Sequence, residues 1–271
     1  LESDPLMNPA GPEDTDFEPG YVPPDPDEPP PVELWSAVGD IRPWGTALLL
    51  LSWAAVFAVI AFRRQIGDPQ TLLAWGASAP GFDAFDTAWR LLASTFVHAG
   101  FAHVFFNTIS MLIFGPAVER ILTRWGFWVV YAAGGATASL ASLAWRASRH
   151  GPGLSISVGA SGAIFALGGA LLVCAFRVRH RLAPGRARAM GGALLFLIGQ
   201  GLAAGFTQNA TDNAAHAAGV AAGALLGTLI PLSPRLGGPA SRPVLQVLGT
   251  IAVLALVASL ALAVRGGLRG G

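Results

Sequence analysis

Ser161 stands in Gly159-Ala160-Ser161-Gly162, at the head of an apolar run long enough to cross a bilayer. A second apolar run carries His216, followed by Gly219, Gly223 and Gly227. A serine hydroxyl becomes a useful nucleophile when a base lies within hydrogen-bond reach, and imidazole is the usual one. The glycines fall three, seven and eleven residues after His216, so all four positions share one helical face. Small residues let helix backbones close up in lipid, which a short serine side chain needs if it is to touch a ring on another helix. Gly162, Ala166, Gly169 and Ala170 offer a matching face on the serine's own run. Either small-residue face alone reads as ordinary helix packing. With the serine and the histidine at similar depth, the pair predicts an acyl-transfer site inside the lipid-bounded part of the protein.

Acyl transfer also needs donors aimed at the developing oxyanion. His103 and Asn107 are spaced i, i+4 and project from one face of a third apolar segment. The Ser161 N–H is a further donor, since the first amides of a helix lack intrahelical partners. Taken alone, His103 and Asn107 would serve equally well as hydrogen-bond links between neighbouring helices. Ionisable residues inside spans are costly and tend to be functional, and here two spans each hold one at the same level.

The elements that must position these groups follow from composition. The chain has 271 residues, 53% hydrophobic and 12% charged, against about 25% charged in a soluble domain. That deficit argues for a polytopic membrane protein. Residues 1–40 hold 11 of the 16 acidic residues and no basic ones, while all 17 basic residues, every one arginine, lie beyond them. The acidic, proline-rich residues 1–40 read as a disordered cytoplasmic tail. Residues 41–271 read as the transmembrane domain, with a catalytic core over about 45–230 and an extra helix at 244–264. Seven apolar segments are expected, near 45–62, 102–118, 127–145, 159–176, 189–207, 213–230 and 244–264, each close to the ~20 residues a span needs. The connection 63–101 carries six aromatics and reads as a structured element lying at the interface. Arginines 177, 179, 181, 186 and 188, with Arg120, Arg124, Arg235 and Arg242, mark the cytoplasmic loops by the positive-inside rule. The N-terminus is then cytoplasmic, and Ser161 and His216 lie toward the outer face.

Trp89-Arg90, His98, His103-x-x-x-Asn107, Glu119-Arg120, Gly159-Ala160-Ser161-Gly162 and Ala215-His216-x-x-Gly219 occur in that order. Together they resemble the rhomboid family of intramembrane serine proteases. The resemblance covers residues 89 to 223, and the seventh segment resembles only those members with an added C-terminal helix. It implies an all-α, rhomboid-like six-helix core plus one extra C-terminal transmembrane helix. It implies Ser161 as nucleophile and His216 as general base, a dyad without a carboxylate, with His103, Asn107 and the Ser161 amide as the oxyanion site. Gly159 and Gly162 would shape the loop entering the serine's helix. Phe165 would pack on the catalytic imidazole, and Gly219 and Gly223 would allow the close helix approach. Trp89 and Arg90 would stiffen an outer loop, and Glu119 would be a structural polar residue near the inner end of segment two. The implied partners are transmembrane protein substrates and the lipid bilayer, with no nucleic acid, no metal and no cofactor. A bacterial plasma membrane is the expected location.

Competing readings are weaker on the residues. Asp212 precedes His216 by four and could suggest a triad, but Thr211-Asp212-Asn213 suits a helix cap better. There is no His-Glu-x-x-His and no pair of intramembrane aspartates, so zinc and aspartyl intramembrane proteolysis are unsupported. A non-catalytic rhomboid-like protein that binds transmembrane clients would have no need of Ser161, His216, His103 and Asn107 together. A transporter predicts repeat-related halves with broken helices at the midplane, whereas the polar residues here lie near one surface.

Overall fold

The computed structural model describes residues 42–150, 155–181, 185–207, 212–239 and 242–269. The expected acidic tail therefore lies outside the described residues. Among the described residues eight α-helices follow in order: α1 Trp44–Phe62, α2 Pro69–Ala74, α3 Ala84–Ala93, α4 Phe101–His150, α5 Ser161–Arg177, α6 Arg186–Thr207, α7 Asn213–Leu229 and α8 Pro243–Arg269. Among the described residues there is no β-strand, only an isolated bridge between Ser78 and Ser157. In lipid the backbone must satisfy itself, and helices do so within each segment. The fold is all-α, with six long helical limbs and α8 as a seventh.

Two of the seven expected segments are joined differently from the sequence reading. A loop is expected between 118 and 127, but helix continues through that stretch except at Thr123, where φ is 68° and ψ 166°. That conformation is nearly reserved for glycine and costs a threonine on the order of 1–3 kcal/mol. The surroundings hold it: Ser233 N–H donates to the Ile121 carbonyl at 2.7 Å, and Gly126 packs on Leu122 and Ile230.

This one residue reverses the chain, as the neighbours of α5 show. His103 approaches Gly159 and Phe114 approaches Gly168, so the limb 101–122 runs parallel to α5. Ala138 meets Gly162 while Gly134 meets Ala166, so the limb 124–150 runs antiparallel. A swap of one connecting residue for a loop leaves the expected order of spans intact.

The remaining contacts complete the bundle. Glu119 takes the free amides at the start of α1, accepting from Gly45 N (3.1 Å), Thr46 N (2.8 Å) and Thr46 Oγ1 (2.7 Å). The other end of α1 sets Phe57 against Phe101, so α1 is antiparallel to limb 101–122. Helix α8 packs on limb 124–150 near its start, with Gly249 against Trp125, and on the 63–101 connection near its end, with Gly267 against Trp75. Trp53, Val118, Phe127, Tyr131, Ala166 and Leu167 are fully buried at the centre. Cys174 is a free, buried thiol in α5.

The connection 63–101 is structured, as its aromatics suggest. Asp68 caps α2 through Thr71 N–H and Asp83 caps α3 through Asp86 N–H. Arg90 is the internal tie. Its Nη1 donates to the carbonyls of Leu73 (2.6 Å) and Ala77 (3.0 Å), and its guanidinium lies 3.9 Å over Phe82 and 4.5 Å over Trp89. Trp89 fills the space beside Gly76 and donates from Nε1 to Asp86 at 3.0 Å.

Helices α1, α8 and the stretch 101–149 are long and apolar enough to cross a membrane by length and composition. Helices α5 and α7 have 17 residues each, about 26 Å of rise against a hydrocarbon core of ~30 Å. Ser161 begins α5 and His216 lies in the first turn of α7.

Candidate active site

Ser161 is the first residue of α5 and His216 lies in the first turn of α7. Their side chains meet: His216 Nε2 is 2.8 Å from Ser161 Oγ. The contact depends on how closely the two helices approach. A Cβ at Gly219 would run into the Gly162 carbonyl, and one at Gly227 would lie 2.9 Å from the Ala170 backbone. The pairs Gly162–Gly219, Ala166–Gly223 and Ala170–Gly227 advance together, so α5 and α7 run parallel with their backbones in contact. Glycine is required there because the obstacle is main chain, which cannot rotate away.

Phe165 lies one turn beyond Ser161, and its ring stacks on the His216 imidazole at 4.1 Å between centroids and 20° between planes. The far edge of that ring abuts Gly201 of α6. The imidazole is buried at 5% exposure. Its Nδ1 has no hydrogen-bond partner among the described residues. An imidazole that accepts from Ser161 through Nε2 carries its proton on Nδ1, so the arrangement suits a neutral ring ready to take a proton.

Gly159 has φ +110°, a conformation open to glycine and strained for other residues. A Cβ there would collide with the His103 ring and lie 3.5 Å from Asn107 Nδ2. The loop before Ser161 therefore rests on both side chains of limb 101–122. Asn107 is 6% exposed, and its Nδ2 has no acceptor among the described residues. A buried amide donor with nothing to donate to costs free energy unless a substrate oxygen completes it. His103 packs edge-on against His98, with centroids 5.2 Å apart, and His98 in turn lies against Trp53.

Asp212 caps α7, its Oδ1 accepting the Ala215 N–H at 3.1 Å. Its other oxygen pairs with Arg146 at 3.0 Å. Burial disfavours the carboxylate, but hydrogen bonds from Ser142 and Ala215 and the Arg146 charge outweigh it and hold the carboxyl below its usual range. Sequence reasoning missed Ser142, Arg146, Ser155 and Ser157, which gather around this carboxylate. The i, i+4 spacing of Ser142 and Arg146 on one helical face was the available signal.

The fold and the site together define a polytopic α-helical membrane protein in which a serine and a histidine meet across two glycine-faced helices. The chain belongs to the rhomboid family, whose rhomboid domain matches residues 86–232. Membership and the apolar helices make it an integral membrane protein. It is 35% identical over 138 residues to the rhomboid protease GluP of Bacillus subtilis (strain 168), covering 51% of this chain and 26% of that protein. It is 27% identical over 141 residues to the rhomboid protease AarA of Providencia stuartii, covering 48% and 50%. Against the rhomboid-like protease 1 of Toxoplasma gondii the figure is 31% over 143 residues, covering 50% and 47%. The chain thus spans half or less of these relatives' own lengths.

Proposed function

We propose that this protein is an intramembrane serine endopeptidase that hydrolyses a peptide bond in or beside the transmembrane segment of another membrane protein. The observation that carries the reading is the 2.8 Å contact between Ser161 Oγ and His216 Nε2. Similarity to proteins named as rhomboid proteases supports the same class of activity.

The chemistry follows from the residues. Ser161 Oγ attacks the substrate carbonyl carbon while its proton passes to His216 Nε2. The oxyanion forms beside the Ser161 N–H, Asn107 Nδ2 and His103, on limb 101–122 and the start of α5. Collapse of the tetrahedral intermediate expels the amine, which takes the proton from His216 and leaves an acyl ester on Ser161. Water, deprotonated by His216, then hydrolyses that ester. Phe165 keeps the imidazole plane in place, and Gly159 and Gly162 let the serine loop and α5 sit close to their neighbours. The substrate helix must unwind locally, because helical carbonyls are hydrogen-bonded within their own segment.

Orientation follows from charge. Exposed arginines stand at both ends of the bundle, Arg124, Arg179, Arg188 and Arg235 away from Ser161 and Arg64, Arg149, Arg265 and Arg269 toward it, and the five-arginine stretch 177–188, at the end away from Ser161, decides the orientation. The positive-inside rule assigns that end to the cytoplasm and the site to the outer face.

A serine-directed fluorophosphonate should label the wild-type chain at Ser161 in liposomes, and a membrane-spanning reporter should be cleaved. A client-binding protein without catalysis would give neither signal. Asn107→Ala should lower kcat by about 10²–10³-fold with KM little changed, as for loss of one oxyanion donor. An unaltered kcat would remove Asn107 from that role.

A further inference from the structure

The chain four residues before Ser161 and the chain four residues before His216 are tied to each other. Ser157 Oγ donates to Asp212 Oδ2 at 3.1 Å. The same oxygen accepts from Ser142 Oγ, from Arg146 Nη2 at 3.0 Å and from Arg146 Nε at 3.2 Å. Asp212 Oδ1 accepts from Ala215 N, and the Asp212 carbonyl accepts from His216 N at 3.0 Å. Arg146 Nη1 reaches on to Ser155 Oγ at 2.7 Å. On its far side Ser157 exchanges two backbone hydrogen bonds with Ser78, at 2.7 and 3.0 Å, and Gly159 N donates to the Ser94 carbonyl at 2.9 Å.

Five donors therefore converge on one carboxylate, and they come from limb 124–150, the loop before α5 and the first turn of α7. Charge-assisted hydrogen bonds are shorter and stronger than neutral ones, so this junction is stiff. A Ser–His pair needs such a junction. Nothing among the described residues engages His216 Nδ1, and Phe165 restrains the tilt of the ring rather than the height of one helix against the other. A small error in that height is enough to slow chemistry.

Resting on the proteolytic reading above, we infer that Asp212 is a positioning residue for the Ser161–His216 pair. Through Ser157 it sets the height of the serine loop against α7, and Arg146 holds it from α4. It makes no hydrogen bond to the imidazole side chain, whose Nε2 meets Ser161 and whose Nδ1 has no partner among the described residues.

The test uses the full chain in proteoliposomes with a membrane-spanning reporter. Ser157→Ala removes one hydroxyl and leaves the backbone bridge to Ser78. Ser157→Thr keeps the hydroxyl. Asp212→Ser retains a residue type that caps helices well, but its side chain is too short to reach both Ser157 and Arg146. The expected result is a kcat lowered roughly 10–100-fold in Ser157→Ala and Asp212→Ser. KM should be unchanged, the loss of kcat in Ser157→Ala should persist at temperatures well below its melting transition, where the chain is still folded, and activity should be restored in Ser157→Thr. Adding Ser157→Ala to Asp212→Ser should cost nothing more, because the hydroxyl then has lost its partner. Wild-type kcat in Ser157→Ala, a loss that appears only in KM, or losses that multiply in the double variant would each overturn the inference. An active wild type beside an equally active Ser157→Ala sinks the positioning role alone. A wild type that neither cleaves nor labels sinks the proteolytic reading beneath it.

Discussion

Reporter cleavage falls by at least about 10⁴-fold in Ser161→Ala and in His216→Ala, and the double variant is no slower than either alone. The magnitude follows from what each removes. Without Ser161 there is no Oγ to form the acyl ester. Without His216 the hydroxyl keeps its proton, because no other base is bonded to Oγ among the described residues. The two act as one unit, so removing the second partner after the first has little left to abolish. Neither change should disturb the fold. Ser161 starts α5 without capping it, and His216 makes its one side-chain hydrogen bond to Ser161. Single-turnover cleavage in liposomes, normalised to monodisperse protein, checks the prediction. Turnover near the wild-type rate in either variant would falsify the dyad.

The second large effect comes from a single methyl group far below the reacting atoms. Gly223→Ala places a Cβ 2.5 Å from the Ala166 carbonyl carbon and 2.6 Å from its Cα, where ordinary contact begins at 3.4 Å. The nearest obstacle is the Ala166 carbonyl oxygen, which is backbone, so α5 and α7 must part by more than an ångström or shift along each other. Overpacking of this kind costs about 1–3 kcal/mol of stability. The functional cost is larger, because a 1 Å misplacement of reacting groups can lower rate about 10²-fold. Gly199→Ala is the control, since a Cβ there meets nothing within 4 Å and alanine favours helix. Comparable activity in the two variants would show that close α5–α7 contact is not what brings Ser161 to His216.

Lipid as solvent explains why so much of this protein can be read from its residues in order. A segment in hydrocarbon must satisfy its own backbone, so apolar runs near 20 residues mark helices without knowledge of their neighbours. The expected runs at 45–62, 189–207 and 213–230 agree with α1, α6 and α7 to within a few residues. The 3.6-residue repeat also shows which positions share a face, so Gly219, Gly223 and Gly227 could be placed beneath His216 before any packing was known. Motif order did the rest, nominating residues that the structure then brings together: Ser161 bonded to His216, Phe165 stacked on His216, and His103 and Asn107 beside Gly159.

What periodicity leaves open is the partner of each face. The reversal at Thr123 could not be foreseen, because a threonine in a conformation nearly reserved for glycine is held by Ser233, Ile230 and Leu122 rather than by its own preferences. Glu119 read as a structural polar residue, but that it caps α1, more than 70 residues earlier in the chain, is a fact of packing. The meeting of Ser157, Arg146 and Asp212 is of the same kind. Local preference identified Asp212 as a helix cap. Only the tertiary structure, by bringing a third helix and the serine loop to the same carboxylate, made it a junction between the two halves of the site.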